Sequence, residues 1–81
     1  MTEYYESTPE RDSLEAINSI LRRVEFLRDV TDVGEIQLQD NDKHFSVTIV
    51  ANGEVYTLTG SITRSKKGYV ASAELEKIEF D

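Results

Sequence analysis

The sequence predicts an α+β domain, one N-terminal helix packed on a four-stranded antiparallel β-meander, in the order α-β-β-β-β and in two layers. Three observations carry that expectation. Asn52 and Gly53 stand between two runs rich in Val, Ile, Thr, Tyr and Phe. Both central residues of a two-residue type I′ turn need φ > 0, so residues 43–62 read as a β-hairpin. Leu14, Ile17, Ile20, Leu21, Val24 and Leu27 recur at helical spacing and make one apolar stripe. The 81 residues, with no internal repeat and no low-complexity segment, suffice for one core and not two.

Taken in order, residues 1–8 are short and acidic and read as a loose or loosely docked tail ahead of a single domain at 9–81. Thr8, Pro9 and Glu10 supply an N-cap, a first-turn proline and an acid at the positive end of the helix dipole. Asp12 with Glu15 is a second, capping-box-like start one turn later. The helix is expected to run to Asp29–Thr31, stopped by Asp32, Val33 and Gly34. Phe26 and Val30, four residues apart, fall on the flank of its polar face, outside the stripe. Residues 34–39 alternate, with Ile36 and Leu38 on one side. A turn at Asn41 and Asp42 then sets Leu38 opposite Phe45 and Ile36 opposite Val47.

The two-residue turn also dictates the register of the central hairpin. Ala51 faces Glu54, Val50 faces Val55, and the pairs continue to Phe45 with Gly60, where the ring covers a bare glycine. Phe45, Val47, Ile49, Tyr56, Leu58 and Ile62 collect on a core face, while His44, Ser46, Thr48, Val50, Val55, Thr57, Thr59 and Ser61 collect on a wet one. A polar loop at 63–68 leads to the last strand. With Ile62 opposite Tyr69, Gly60 faces Ala71, Leu58 faces Ala73 and Tyr56 faces Leu75. Ile78 and Phe80 then fall out of phase. Either a bulge near Glu76 and Lys77 returns them to the core, or the segment wraps toward Phe26 and Val30.

Sixteen acidic against nine basic residues give a net charge of -7. A nucleic-acid groove needs a basic stripe, so direct nucleic-acid binding is disfavoured and docking on a basic protein surface is allowed. The absence of Cys excludes disulfides, thiolate metal sites and Cys nucleophiles. Acid stands at the start, where a signal peptide carries base, and no apolar run could span a membrane, which together suit a cytoplasmic location.

The segment from Asp40 to His44 fails as a calcium loop, with Phe45 where the glycine belongs and Ala51 where the bidentate Glu belongs. It reads as a turn rich in Asn and Asp. His44, the one histidine, lies across from Gln39 and Ser61 without the signature of an orienting acid. Glu74 and Glu76 share the wet face of the last strand and read as charges that block edge-to-edge pairing, since a flat sheet offers paired carboxylates no cleft. Arg64, Lys66 and Lys67 read as a solvated loop tip. No catalytic residue, metal ligand or cofactor is expected.

The leading functional expectation is a non-enzymatic acidic protein-binding module of the inhibitor, immunity or regulatory kind, docking on a basic protein surface. Its partner-binding candidates are Tyr4, Tyr5, Phe26, Val30, Thr48, Thr57, Thr59, Glu74 and Glu76, and a homodimer is compatible with them. Phe80 is expected inside the chain's own packing, with Phe26 and one tyrosine left for a partner. Two alternatives are a small-ligand or catalytic domain built on the hydroxyl-rich face around His44, and an acidic mimic of nucleic acid.

Overall fold

The computed structural model describes residues 2–79. Among them are one helix and six strands: β1 (Thr2–Glu6), α1 (Ser13–Leu27), β2 (Val30–Val33), β3 (Gln37–Gln39), β4 (His44–Ala51), β5 (Glu54–Ser65) and β6 (Gly68–Lys77). They form one antiparallel sheet in the order β1-β6-β5-β4-β2, with β3 also on β4. The class is the expected α+β with an antiparallel sheet, but the strands are six rather than four. The chain leaves β1 at one edge, covers a face of the sheet as α1, whose Arg23 reaches Glu6 of β1, and enters β2 at the other edge.

The central hairpin has the register that the turn dictates, from Ala51 with Glu54 to Phe45 with Gly60 and His44 with Ser61. Asn52 and Gly53 have φ of 54° and 74°, as a type I′ turn requires. Phe45, Val47, Ile49, Tyr56, Leu58 and Ile62 are all buried on the helix side, as the alternation demands.

The helix starts at the second of the two signals. Asp12, in extended conformation, accepts the Glu15 N–H at 2.8 Å. Thr8 to Glu10 instead belong to a bridge to the sheet: the Glu10 and Tyr69 backbones exchange hydrogen bonds of 2.9 and 2.8 Å. The helix ends at Leu27, not at Asp29–Thr31. Val30 and Thr31 are β-branched, and the Asp29 carbonyl accepts the Asn52 N–H at 3.1 Å, which ties this point of the chain to the hairpin tip. Val30 therefore pairs with Ala51 in β2 and is not a helix-flank residue. Of the predicted stripe, Ile17, Ile20, Leu21 and Val24 are buried, joined by Ala16. Leu14 and Leu27, at its two ends, are 48% and 61% exposed.

Residues 30–39 act as one broken strand along β4. The register slips between Val30 and Asp32 and again before β3, so only Gln37–Gln39 of the expected 34–39 strand is regular. Leu38 does face Phe45. In the loop that follows, Asp40, Asn41 and Asp42 all have φ near 55–64°, a run that Asn and Asp tolerate better than other side-chain-bearing residues.

The last hairpin is closed by a two-residue turn at Lys66 and Lys67, not by a six-residue loop, because Ser65 pairs with Gly68. The register is thus displaced by two from the expected one: Ile62 faces Ala71, Gly60 faces Ala73 and Leu58 faces Leu75. An even displacement keeps every side chain on its intended face, so Ala71, Ala73 and Leu75 still line the core. Small residues let neighbours come close here. A Cβ at Gly60 would collide with the Ser72 carbonyl oxygen and sit 2.7 Å from the Ala73 Cα. β6 continues in register to Lys77 without the bulge, and the Ile78 N–H donates to the Val55 carbonyl at 2.8 Å. Ile78 therefore stays off the core face, beside Val55 and Thr57. Phe80 lies outside the described residues.

The expected tail is the largest correction. Thr2–Glu6 is a strand in unbroken register with β6, from Thr2 opposite Glu76 to Glu6 opposite Ser72. Tyr5 is buried in the core. Ser7 completes the join: its N–H donates to the Ala71 carbonyl at 2.8 Å, and its hydroxyl accepts the Ala71 N–H at 2.9 Å. A short acidic run with no apolar alternation shows little strand signal by itself. It folds because β6 presents an open ladder and the core has room for one ring.

Candidate protein-docking surface

The helix covers one face of the sheet and leaves the other bare. The outward strand positions follow from the registers: Thr2, Tyr4 and Glu6 on β1, Val70, Ser72, Glu74 and Glu76 on β6, and Val55, Thr57, Thr59, Ser61 and Thr63 on β5. On β4 they are His44, Ser46, Thr48 and Val50, with Asp32, Gln37 and Gln39 beyond. Among the described residues, no outward strand position holds Lys or Arg, while four hold carboxylates: Glu6, Asp32, Glu74 and Glu76.

Three of those four lie together. Tyr4 is directly opposite Glu74, Glu6 is two residues along β1, and Glu76 is two residues along β6. Tyr4 is 76% exposed, and Glu74 and Glu76 are exposed beside it. An open hollow of about 640 Å³ runs from this group across Thr59 and Ser61 to His44. Placing Glu74 and Glu76 on an edge strand is therefore corrected: β6 is interior, and β1 pairs with its far side. Their charge does not block pairing. It joins that of Glu6 on a face whose described strand positions hold no Lys or Arg.

The remaining candidates separate. Thr48 and Thr59 are exposed on the bare face, and Thr57 is half-buried there. Tyr5 is corrected to a core residue at 8% exposed, and half-buried Val30 packs against the core on the opposite face. Phe26, at 88% exposed, projects into solvent from the helix. The next residue, Leu27, lines a second hollow with Glu3, Tyr4, Tyr5 and Arg28, so the helix end and the β1 edge adjoin.

On the helix side of β1 stands a polar cluster that sequence reasoning did not find. The Arg28 guanidinium donates to Glu3 at 2.6 Å and to the Tyr56 hydroxyl at 3.2 Å, and lies 4.8 Å from the centre of the Tyr56 ring. The Tyr5 hydroxyl donates to the other Glu3 oxygen at 2.9 Å. The Tyr56 hydroxyl donates to Glu54 at 3.2 Å, and Lys77 meets Glu54 at 3.0 Å. The hydrogen bond from Arg28, then that from Tyr5, holds the Glu3 carboxyl below its ordinary pKa, and the same Arg28–Glu3 bond raises that of Arg28. Burial, then the bond to Glu3, raises that of Tyr5. The only sequence signal was Glu3 and Tyr5 two apart, on one side of a strand not recognised as one.

His44 leans toward Asp40, with Nε2 3.4 Å from the carboxylate, and is more than half exposed. Among the described residues it makes no hydrogen bond to Ser46 or Ser61, and no three His, Cys, Asp or Glu side chains group as metal ligands. No helix among those residues is long and apolar enough to cross a membrane. Comparisons with protein-family models, with curated proteins and with solved structures find no match to this chain.

Proposed function

We propose that this protein is a non-enzymatic protein-binding module that docks the bare face of its sheet on a basic protein surface. The observation that carries the reading is the charge asymmetry of the sheet. Carboxylates at Glu6, Glu74 and Glu76 surround exposed Tyr4, and no outward strand position among the described residues holds Lys or Arg. An aromatic ring amid charges of one sign suits a patch of Lys and Arg, through ion pairing and cation–π contact together. Hydroxyls at Thr48, Thr57 and Thr59 extend the surface with adaptable hydrogen-bonding groups. The surrounding hollow is broad and open, a shape that suits a macromolecular surface better than an enclosed small molecule.

The test is capture from native lysate on immobilised wild-type protein and on the double variant Glu74→Lys, Glu76→Lys. Both positions are exposed strand sites, so the fold should survive. A basic protein held by the wild type, released by salt and absent from the variant, is the expected result. Capture that ignores both salt and charge reversal refutes the reading.

A further inference from the structure

We propose that the free edge of β1 is a strand-addition site, which takes an extended partner segment of alternating basic and apolar residues in antiparallel orientation. This rests on the acidic-face reading above and names how the partner is held. The Ser7 N–H bonds Ala71, so the β1 residues that bond β6 are the odd ones, and the ladder alternates from there. The N–H and C=O groups of Thr2, Tyr4 and Glu6 consequently point away from the sheet. Among the described residues, one of these groups finds a protein partner: the Glu6 carbonyl accepts from Arg23 at 3.2 Å.

The two edges of the sheet differ. The β2/β3 edge is broken twice by register slips, a device that discourages added strands. β1 runs straight for five residues and contains no Pro, Lys or bulge. Its rims state what the incoming strand should be. On the bare-face rim stand Tyr4 and Glu6, with Glu74 behind them, which calls for Lys or Arg at alternate positions. On the helix-side rim, Leu27 is 61% exposed beside β1 and Glu3 is already satisfied by Arg28, which calls for apolar residues at the positions between. A second copy fits poorly. Pairing two β1 strands about Tyr4 would bring Glu6 and Glu74 of both copies, each of net charge -7, to one face whose described strand positions hold no Lys or Arg.

The geometry makes a sharp test. In an antiparallel addition, the residues that bond outward-facing Thr2, Tyr4 and Glu6 carry their own side chains on the bare face, so the basic residues supply the bonded amides. The probe is a blocked eight-residue peptide of alternating lysine and valine, titrated by fluorescence anisotropy and by amide hydrogen exchange. Binding is expected to slow exchange of the Tyr4 amide. N-methylation of the lysine amides should weaken binding at least tenfold, N-methylation of the valine amides should leave it within twofold, and glutamate in place of lysine should abolish it. Tyr4→Pro removes an N–H that the β6 ladder does not use, so it should weaken binding at least tenfold beyond Tyr4→Ser, which loses the ring but keeps the N–H. The methylated peptides give the same answer without any variant having to fold.

No binding of the lysine–valine peptide, binding unaffected by lysine-amide methylation, or an unchanged Tyr4 amide overturns the proposal. A wild-type dimer that Tyr4→Pro splits assigns the edge to a second copy and overturns it too. If charge reversal abolishes lysate capture while Tyr4→Pro captures as much as Tyr4→Ser, which also lacks the ring but keeps the N–H, strand addition falls and acidic-face docking stands. If neither charge reversal nor Tyr4→Pro matters, both fall.

Discussion

Replacing Gly60 with alanine should be among the most damaging small changes possible in this chain. A Cβ there would collide with the Ser72 carbonyl and lie 2.7 Å from the Ala73 Cα, both backbone atoms of β6. Ordinary contact needs about 3.4 Å or more, so β6 must withdraw by over half an ångström at Ala73 and further at Ser72. The Ile78–Val55 bond places the even β6 residues in the β5 ladder, so that withdrawal strains the bonds between Ser61 and Ser72. Two ladder bonds lost between interior strands cost about 1–3 kcal/mol each. The reduced freedom of the unfolded chain returns about 0.4–1 kcal/mol. The net loss is about 1–5 kcal/mol, a large share of the about 5–15 kcal/mol of a typical domain. Urea unfolding followed by circular dichroism reads it directly: with a slope of about 1 kcal/mol per molar for a small chain, the midpoint should fall by about 1 M or more. A fall of less than about 1 kcal/mol would mean that β5 and β6 do not approach as closely as described.

Other expectations bear on the core, the surface and pH. Leu58 is fully buried against Val47 and Leu75, so Leu58→Ala should cost about 2–5 kcal/mol; an unchanged unfolding midpoint would contradict the register. Phe26→Ser should shift stability by no more than about 0.5 kcal/mol, because the ring is almost wholly exposed; a large loss of stability would place Phe26 in the core. The Glu3 carboxyl, lowered chiefly by Arg28, contributes stability above its ordinary pKa of about 4.3 and loses it as pH falls through the folded value. Tyr5, raised chiefly by burial, contributes below its ordinary pKa of about 10 and loses it as pH rises through the folded value. Thermal unfolding of Glu3→Gln against pH should therefore show a flatter acid limb than the wild type, and parallel limbs would show that the Arg28 pair is without effect.

What the sequence determined by itself is local. Asn52 and Gly53 dictate one turn, that turn dictates one register, and the alternation then names which side of β4 and β5 is buried. The stripe from Ile17 to Val24 dictates the buried face of the helix in the same way. These depend on residues near one another in the chain, where backbone geometry leaves few choices. What the tertiary structure decided is whatever rests on distant partners. Val30 could continue a helix or begin a strand, and the hairpin tip docking at Asp29 settled it. The last hairpin could close with two or six residues, and a two-residue turn won without changing any face. The candidate surface shows the same division. Glu74, Glu76 and exposed Tyr4 were readable as separate residues, but their meeting was not, because residues 2–6 carry no pattern strong enough to order themselves. They become a strand only when β6 supplies the ladder and the core accepts Tyr5, and that single pairing both gathers the carboxylates and creates the free edge.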